Sequence, residues 1–387
     1  MNRIDVDAVN ALRVLAADEV QKANSGHPGL PLGAAPAAYA VWAYEMKHNP
    51  KNPRWENRDR FILSGGHGSA LLYALLHLFG YGLTKNDLEN FRQLDSLTPG
   101  HPEYGHTVGV EATTGPLGAG MGMAVGMAIA EAHLSAVFNR PGYDVVDHYI
   151  FVLGGDGCLM EGISSEAFSL AGTLKLNKLI VLYDSNRISI EGSTDIAFTE
   201  DVGKRMEAFG FQVLTVEDGN DVDAIRQAIQ QAKADKERPS FIVVKTQIGQ
   251  GCPAKQGTAA AQNIQEMKKG FDWPSVEPFF VPEEIYAHYQ TLTADSAAEE
   301  ARWNEMMEAY KDEFPELKAK WETYHYPLQA INTYNDDSYW EFEDKPQATR
   351  NLSGVMINRL KDILPNLIGG AADLAPSTKT YMKGEGD

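Results

Sequence analysis

Residues 149–157 read Tyr-Ile-Phe-Val-Leu-Gly-Gly-Asp-Gly, and residues 179–186 read Leu-Ile-Val-Leu-Tyr-Asp-Ser-Asn. Each stretch begins with a short apolar run that is typical of a buried strand. A third strand is predicted at 211–216 and a fourth at 241–244, with a helix from Asp221 between them. Strands that alternate with helices predict an α/β fold, in which helices flank both faces of a parallel sheet.

The helix predicted between the first two strands has apolar residues at helical spacing. We expect Ser164 to cap its N-terminus. We also expect Ala167, Leu170, Ala171 and Leu174 to share the face that packs on the sheet.

A helix of small residues is predicted to follow residues 113–117. Gly118, Gly120, Gly122 and Gly126 would let another backbone approach this helix closely, so we expect tight packing. Their spacing is superficially similar to a dinucleotide-binding fingerprint, but no strand precedes them and the intervals differ. Close helix packing is the better interpretation.

Asp156 follows the first predicted strand and Asn186 follows the second. The segment between them corresponds to one crossover, in which a helix connects two parallel strands. Ligands bind at the carboxyl ends of strands in open α/β sheets, so these side chains are expected to converge. Neighbouring glycines allow backbone amides to approach an anion, and oxygen ligands of this kind suit Mg²⁺. Gly-Asp-Gly alone could be a simple turn with Asn186 as a cap, but the paired strand ends favour a metal and anion site.

Composition limits the classes of function. The chain has 387 residues, 43% hydrophobic, and a formal net charge of −19, which disfavours nucleic-acid backbones and anionic membranes as partners. The N-terminus has no signal-like segment, and we expect no apolar stretch long enough to span a bilayer. Cys158 and Cys252 give no disulfide framework. These features predict a soluble, cytoplasmic protein.

Three predicted loops each place a histidine among Gly and Pro residues: 25–28, 64–68 and 98–102. A single histidine in such a loop is more often solvated or a capping residue. Three of them favour a functional role for His27, His67 and His101.

The amino-acid sequences of these motifs resemble those of one family. Gly155-Asp156-Gly157-Cys158-Leu159-Met160-Glu161-Gly162-Ile163-Ser164 and the segment 169–176 resemble transketolase, as do residues 25–28, 98–103 and 113–118. The resemblance runs from about Asn10 to the last residue. It implies the thiamine-diphosphate-binding fold and transfer of a two-carbon ketol unit from a ketose phosphate to an aldose phosphate.

The resemblance also implies roles for individual residues. Asp156, Asn186 and the backbone carbonyl of Ile188 would hold Mg²⁺, for which Ca²⁺ or Mn²⁺ could substitute. Thiamine diphosphate would contact His67, Gly115, Pro116, Leu117, Gly157, Asn186 and Asp373. His27 and His101 would be catalytic and face the sugar. Arg350 and Ser377 would bind the sugar phosphate, and Glu161 and Glu166 would lie near a dimer interface.

The implied organisation has three parts. Residues 1–280 would form the diphosphate- and Mg-binding α/β domain, residues 281–345 a helical linker, and residues 346–387 the incomplete start of a second α/β, pyrimidine-binding domain. The expected partners are sugar phosphates and either a second copy of the chain or a C-terminal transketolase polypeptide, with no nucleic acid and no membrane.

The sequence differs from the family pattern in two ways that lower the activity expected of this chain. The family normally carries a histidine in the loop at 257–263, where this sequence has none and Gln262 takes the nearest position. Glutamine hydrogen-bonds but cannot become a cation near neutral pH, so proton transfer or phosphate stabilisation from that side is expected to be weaker. The chain also stops at Asp387, before the family's activating Glu and aromatic platform.

The sequence is therefore compatible with three functions. The first is a transketolase component with little or no activity unless the C-terminal portion is supplied. The second is a non-catalytic thiamine-diphosphate-binding or interaction protein. The third is a relative such as dihydroxyacetone synthase or deoxyxylulose-phosphate synthase, which the motif spacing disfavours.

Overall fold

The structure is a computed structural model that describes residues 3–252, 264–326, 332–333 and 335–386. Its strands are β1 (Arg60–Leu63), β2 (Ile150–Gly155), β3 (Leu179–Ser185), β4 (Ile188–Ser189), β5 (Gly192–Ser193), β6 (Gln212–Val216) and β7 (Ser240–Lys245). Five of them form one parallel sheet in the order β1–β2–β3–β7–β6, while β4 and β5 pair as a small antiparallel hairpin. The predicted α/β fold with a parallel sheet is confirmed.

Helices occupy most of the rest of the described chain. The first eight are α1 (Arg3–Ala23), α2 (Gly29–Ala40), α3 (Ser69–Leu78), α4 (Lys85–Glu89), α5 (Ala119–Phe138), α6 (Asp156–Met160), α7 (Gly162–Thr173) and α8 (Val202–Ala208). They are followed by α9 (Val222–Ala234), α10 (Ile264–Gly270), α11 (Glu283–Leu292), α12 (Ser296–Glu313), α13 (Pro315–His325), α14 (Thr349–Leu360) and α15 (Ala375–Thr378). Short turns of other helix types lie at 41–45, 66–68, 194–196 and 337–340.

Two hydrophobic clusters cover the two faces of the sheet. Phe151 and Leu153 of β2 join one cluster, with α1, α2, α3 and α9. Ile150 and Val152 join the other, with α5 and α7. Successive residues of a strand point to opposite faces, so a strand buried on both faces must be apolar throughout. This explains the unbroken apolar runs in the sequence.

The inward face of α7 differs from the prediction. Phe168 and Ala171 are buried, whereas Leu170 and Leu174 are 47% and 48% exposed. Ser164 lies inside the helix, where its hydroxyl donates to the Cys158 carbonyl, and the cap position belongs to Glu161. The buried stripe therefore runs through 164, 168 and 171, because the polar Ser164 satisfies its hydroxyl locally and the two leucines point outward.

Helix α5 also corrects two expectations. It is 20 residues long and apolar enough to cross a membrane by length and composition, contrary to the expectation that no such stretch exists. Its buried residues pack on β2 and α7, and about a third of the helix is buried (33% of its apolar window). A Cβ on Gly120 would lie 2.6 Å from the Ser64 Cα, which confirms close packing there, but Gly126 has no atom within 4 Å of such a Cβ.

The chain divides into two compact units, Met1–Asn304 and Glu305–Asp387. In the second unit, Arg359 donates to the carbonyls of Tyr339 and Glu341, which ties α14 to the preceding turn. The strand expected near residue 367 does not form within its described residues, because a strand needs a neighbour to satisfy its backbone groups. The predicted domain limits at 280 and 345 stay a prediction.

Candidate active site

The carboxyl ends of β2 and β3 bring Asp156 and Asn186 together. The two strands are neighbours in the sheet, and Gly155 is paired with Asp184. Arg187, which follows Asn186, adopts a φ of +60° and donates its backbone N–H to Asp156 Oδ2 at 3.1 Å. This left-handed turn brings the backbone that follows β3 next to Asp156.

Asp156 is a buried carboxylate with two hydrogen-bond donors. Oδ1 accepts from the Tyr183 hydroxyl at 2.6 Å, and Oδ2 accepts from Arg187. Burial raises the pKa of Asp156 because it disfavours the charged form, while these hydrogen bonds oppose the rise. Each carboxylate oxygen has a further lone pair, so the group keeps the capacity to bind a cation.

Asn186 is oriented by a second buried acid. Its Nδ2 donates to Asp184 Oδ2 at 2.7 Å, and its Oδ1 accepts the Ile188 N–H at 3.0 Å. Thr246 donates its hydroxyl to the other oxygen of Asp184. Burial raises the pKa of Asp184 to about 6. Because a carboxylate only accepts hydrogen bonds, Asp184 fixes which end of the Asn186 amide presents oxygen.

A cavity of about 610 Å³ opens beside these residues. It collects eight of the residues nominated from the sequence, namely His27, His67, Gly115, Leu117, Asp156, Gly157, Asn186 and Ile188. His101 is not part of the lining, but its ring lies 3.3 Å from the position that a Cβ on Gly115 would take. Pro116 is exposed and is also outside the lining.

Two histidines, His27 and His67, line one side of this cavity, and His101 lies next to its Gly115. The rings of His27 and His67 meet edge to face with centroids 5.2 Å apart. Burial and the two neighbouring imidazoles lower the pKa of His67 to about 4. Burial and Arg92 lower the pKa of both His27 and His101. Neutral imidazoles offer one donor and one acceptor nitrogen each, which suits hydrogen bonding to hydroxyl groups.

Two glycines of the lining leave space that a side chain would use. A Cβ on Gly157 would lie 2.9 Å from Leu117 Cδ1, and Gly115 has a φ of +150° that L side chains rarely adopt. The glycines keep the backbone next to the cavity uncovered, so a bulky anion has access to it.

The charge of the lining indicates what could bind there. Among its described residues the ionisable acids are Asp156, Glu161 and Glu191, and no Lys or Arg is present. A diphosphate next to these carboxylates needs a cation between them, and one carboxylate with amide and carbonyl oxygens is a set for a hard divalent ion. No group of three or more His, Cys, Asp or Glu side chains that could hold a metal is found in the described part of the chain. The donor set around Asp156 fits a metal that takes its other ligands from amide, carbonyl and phosphate oxygens.

The other nominated residues lie in the second unit. The Arg350 Nη1 and Ser377 Oγ are 3.5 Å apart, so the two predicted phosphate-binding groups are neighbours. Asp373 is exposed within the same unit. Gln262 and the loop at 257–263 fall outside the described residues.

Several lining residues were not nominated from the sequence. The hairpin and turn that follow Asn186 contribute Ile190, Glu191, Thr194 and Ile196. Tyr183, Asp184 and Thr246 support Asp156 and Asn186 from behind. The polar ends of the predicted strands were a signal for Tyr183 and Asp184, but Thr246 approaches through the pairing of β3 with β7, which the sequence does not reveal.

The fold and this cavity define an α/β protein with a ligand site at the carboxyl edge of a parallel sheet. The family model described as "Transketolase, thiamine diphosphate binding domain" matches residues 4–325, and the chain belongs to this family.

Individual proteins that are similar to this chain are also transketolases. The chain is 51% identical over 394 residues to a transketolase of Geobacillus stearothermophilus, covering 98% of this chain and 58% of that protein. It is 52% identical over 386 residues to a transketolase of Halalkalibacterium halodurans, with coverage of 98% and 58%. The chain thus spans about 58% of the length of these curated relatives.

Solved structures show the same fold. A transketolase from Pichia stipitis in complex with sedoheptulose 7-phosphate superposes with a TM-score of 0.90 at 44% identity, covering 99% of this chain and 57% of that one. Transketolase from Leishmania mexicana gives a TM-score of 0.88 at 45% identity, with coverage of 98% and 57%.

Proposed function

We propose that this chain supplies the diphosphate- and metal-binding half of a transketolase. The reaction transfers a two-carbon ketol unit from a ketose phosphate of the xylulose 5-phosphate type to an aldose phosphate, in the cytoplasm. The observation that carries the proposal is the cavity that Asp156 and Asn186 line together with His27 and His67, with His101 next to Gly115 of the same lining. The names of the relatives support the reaction type.

In the proposed site, Asp156, Asn186 and the carbonyl of Ile188 hold Mg²⁺, with Ca²⁺ or Mn²⁺ as substitutes. The buried charge of Asp156 favours a cation, and Gly157 and the 115–117 loop leave room for the diphosphate. When bound, thiamine diphosphate supplies the carbon nucleophile and the electron sink that carbon–carbon cleavage beside a carbonyl requires. The protein supplies binding, orientation and proton transfer.

The histidines have the proton-transfer role. A neutral imidazole nitrogen accepts the proton of a sugar hydroxyl, and the protonated ring returns it to an oxygen later in the cycle. His27 and His101 are the proposed groups for the sugar hydroxyls. His67, with a pKa of about 4, stays neutral near pH 7 and acts as a hydrogen-bonding contact to the cofactor.

The sugar phosphate is assigned to the second unit. Arg350 offers a planar guanidinium beside the Ser377 hydroxyl, and such a fork binds two phosphate oxygens at once. We assign Asp373 a role near the cofactor in the assembled enzyme.

An exposed apolar surface supports self-association. Met123 of α5, Ile163 and Leu170 of α7, and Leu174 directly after α7 are each between 38% and 48% exposed. Helices α5 and α7 pack side by side, and Ile163 lies 3.3 Å from the place of a Cβ on Gly122. Apolar side chains on adjacent helices are typical of an interface between subunits. The proposed partner is a second copy or a C-terminal transketolase polypeptide, with Glu161 and Glu166 nearby.

The second candidate function is a non-catalytic protein that binds thiamine diphosphate. Gln262, in place of the expected histidine, is the observation that favours it. Dihydroxyacetone synthase and deoxyxylulose-phosphate synthase relatives are less well supported, since the relatives named above are transketolases.

Binding and turnover require separate experiments. Titration of thiamine diphosphate with Mg²⁺ should show metal-dependent heat in the assembled protein, and Asp156→Ala should abolish it. Glu191→Gln, at the same cavity but away from the strand ends, is the matched control and should bind. Unchanged affinity in Asp156→Ala would place the site elsewhere.

Turnover is then measured as ketol transfer from xylulose 5-phosphate to ribose 5-phosphate. We expect little activity from the chain alone and restored activity with a polypeptide that supplies the pyrimidine-binding region. Cofactor binding without turnover in the reconstituted protein would favour the non-catalytic alternative. Gln262→His should raise turnover if the missing imidazole matters.

A further inference from the structure

Arg92 connects two of the histidine-bearing loops. Its Nη1 donates to the Ser25 Oγ at 2.9 Å, two residues before His27. On the other side, a Cβ on Gly100, the residue before His101, would lie 3.2 Å from the Arg92 Nε. One guanidinium therefore lies between the loops that carry His27 and His101.

The backbone of Arg92 is held in an unusual conformation. Its φ is +60°, a left-handed value that costs energy for a residue with a long side chain. The N–H donates to the Thr98 carbonyl at 2.9 Å, which closes the turn that leads into the His101 loop. Surrounding contacts that maintain such a conformation fix the direction in which the side chain leaves the turn.

Each loop has its own anchors in addition to Arg92. The Ser69 hydroxyl donates to the Gly100 carbonyl at 2.9 Å, and the Tyr73 hydroxyl donates to the Pro99 carbonyl at 2.8 Å. On the His27 side, a Cβ on Gly26 would be 3.1 Å from Phe91 Cε1. Removing the Arg92 side chain should therefore leave both loops folded.

The positive charge of Arg92 is not neutralised locally. Among the described residues, no carboxylate lies within 4.0 Å of its guanidinium, and its buried Nε has no hydrogen-bond partner. Leaving a buried donor unpaired costs about 1–3 kcal/mol. A cation between the loops that carry His27 and His101 favours the neutral forms of their imidazoles, because like charges repel.

We propose that Arg92 is a positioning residue that joins the His27 and His101 loops and, in addition to burial, favours the neutral, proton-accepting form of both imidazoles. The lowered pKa of each ring, to which Arg92 contributes, agrees with this geometry. The other titratable groups nearby are His67, which packs on His27, and Tyr73, with Glu19 and Glu103 close to it. The catalytic meaning of this role rests on the proposed function.

The test is an NMR titration of the imidazoles in the full chain labelled with ¹³C-histidine, assigned with His27→Asn and His101→Asn. Arg92→Met should raise the pKa of both histidines, and Arg92→Lys, which keeps the charge, should restore values close to the original. Ser25→Ala should leave both pKa values unchanged but speed amide hydrogen exchange in the His27 loop.

Unchanged histidine pKa values in a folded Arg92→Met variant would overturn the proposal, as would an Arg92→Lys variant that behaves like Arg92→Met. In the reconstituted enzyme, Arg92→Met should move the acid limb of the rate profile to higher pH. The titration needs neither cofactor nor turnover. If Arg92→Met raises the histidine pKa values in a protein that does not catalyse ketol transfer, the role of Arg92 is supported and the proposed function is rejected.

Discussion

The Tyr183 hydroxyl donates a hydrogen bond of 2.6 Å to Asp156 Oδ1, and Tyr183 is itself buried in β3, two residues before the strand ends. The aspartate that the sequence marks as a metal ligand is thus held by a residue of the neighbouring strand. Hydrogen bonds behind a metal ligand fix its orientation and commonly change metal affinity by about 10–100-fold when removed.

Tyr183→Phe should weaken Mg²⁺-dependent binding of thiamine diphosphate by at least about tenfold with little loss of stability, because only the hydroxyl is removed. Isothermal titration calorimetry of the assembled protein measures this. Tyr149→Phe is the matched control, because Tyr149 lies directly before the first residue of β2 and Asp156 directly after the last. Equal affinities for Tyr183→Phe and the parent would mean that Tyr183 does not orient the metal ligand.

Glu19→Gln should stabilise the protein in a pH-dependent manner. Glu19 is fully buried, and neither carboxylate oxygen has a hydrogen-bond partner among the described residues. Burial raises its pKa well above the ordinary value, so the folded state keeps a proton that the unfolded state loses. Stability then falls as pH rises above the ordinary Glu range, by roughly 1.4 kcal/mol per pH unit until the folded-state pKa is reached.

Urea unfolding at pH 4.5, 6.0 and 7.5 tests this expectation. The amide introduced by Glu19→Gln has no proton to lose, so the advantage of this variant should be small at the lowest pH and grow toward the highest. Asp7→Asn, a partly exposed position on the same helix, serves as the control. A uniform destabilisation by Glu19→Gln at every pH would show that the carboxyl has a favourable partner.

Gly172→Ala should strongly destabilise the chain. A Cβ at this position would lie 1.6 Å from the Phe209 carbonyl oxygen, so α7 and the end of α8 would have to separate. We expect a loss of about 2–3 kcal/mol or more in the free energy of unfolding, measured by urea denaturation. Gly126→Ala, in a helix interior with no atom within 4 Å of the added methyl, should instead add up to about 1 kcal/mol. Similar effects of the two substitutions would contradict this packing.

Leu170→Glu should disrupt self-association and leave the fold intact. Leu170 is 47% exposed on α7, so a charge there is tolerated in the free chain but is unfavourable inside an apolar interface. Sedimentation velocity should show a dissociation constant raised by at least about tenfold, equivalent to about 1.4 kcal/mol. Leu94→Glu, at a position 93% exposed in another part of the same unit, should change nothing. Equal dissociation constants for both variants would exclude this face from the interface.

The alternation of apolar runs and helical segments was enough to predict the parallel sheet, because buried strands must be apolar on both faces. The convergence of Asp156 and Asn186 also followed from the sequence, since each directly follows one of two successive strands. The motifs around them identified the family. These features depend on short-range pattern and on the general rule that ligands bind at carboxyl strand ends.

The buried face of α7 could not be predicted in the same way, since a shift of one residue around a helix rotates it by about 100° and the sequence offers apolar residues on two faces. Tertiary packing also brings Thr246 to Asp184, and it places Arg92 between the loops that carry His27 and His101. Residues far apart in the chain meet through strand pairing and loop packing, which no local pattern encodes. The sequence therefore identifies the residues that can bind a ligand, such as Asp156 and Asn186. The residues that orient and support them, such as Thr246 and Arg92, are determined only by the tertiary structure.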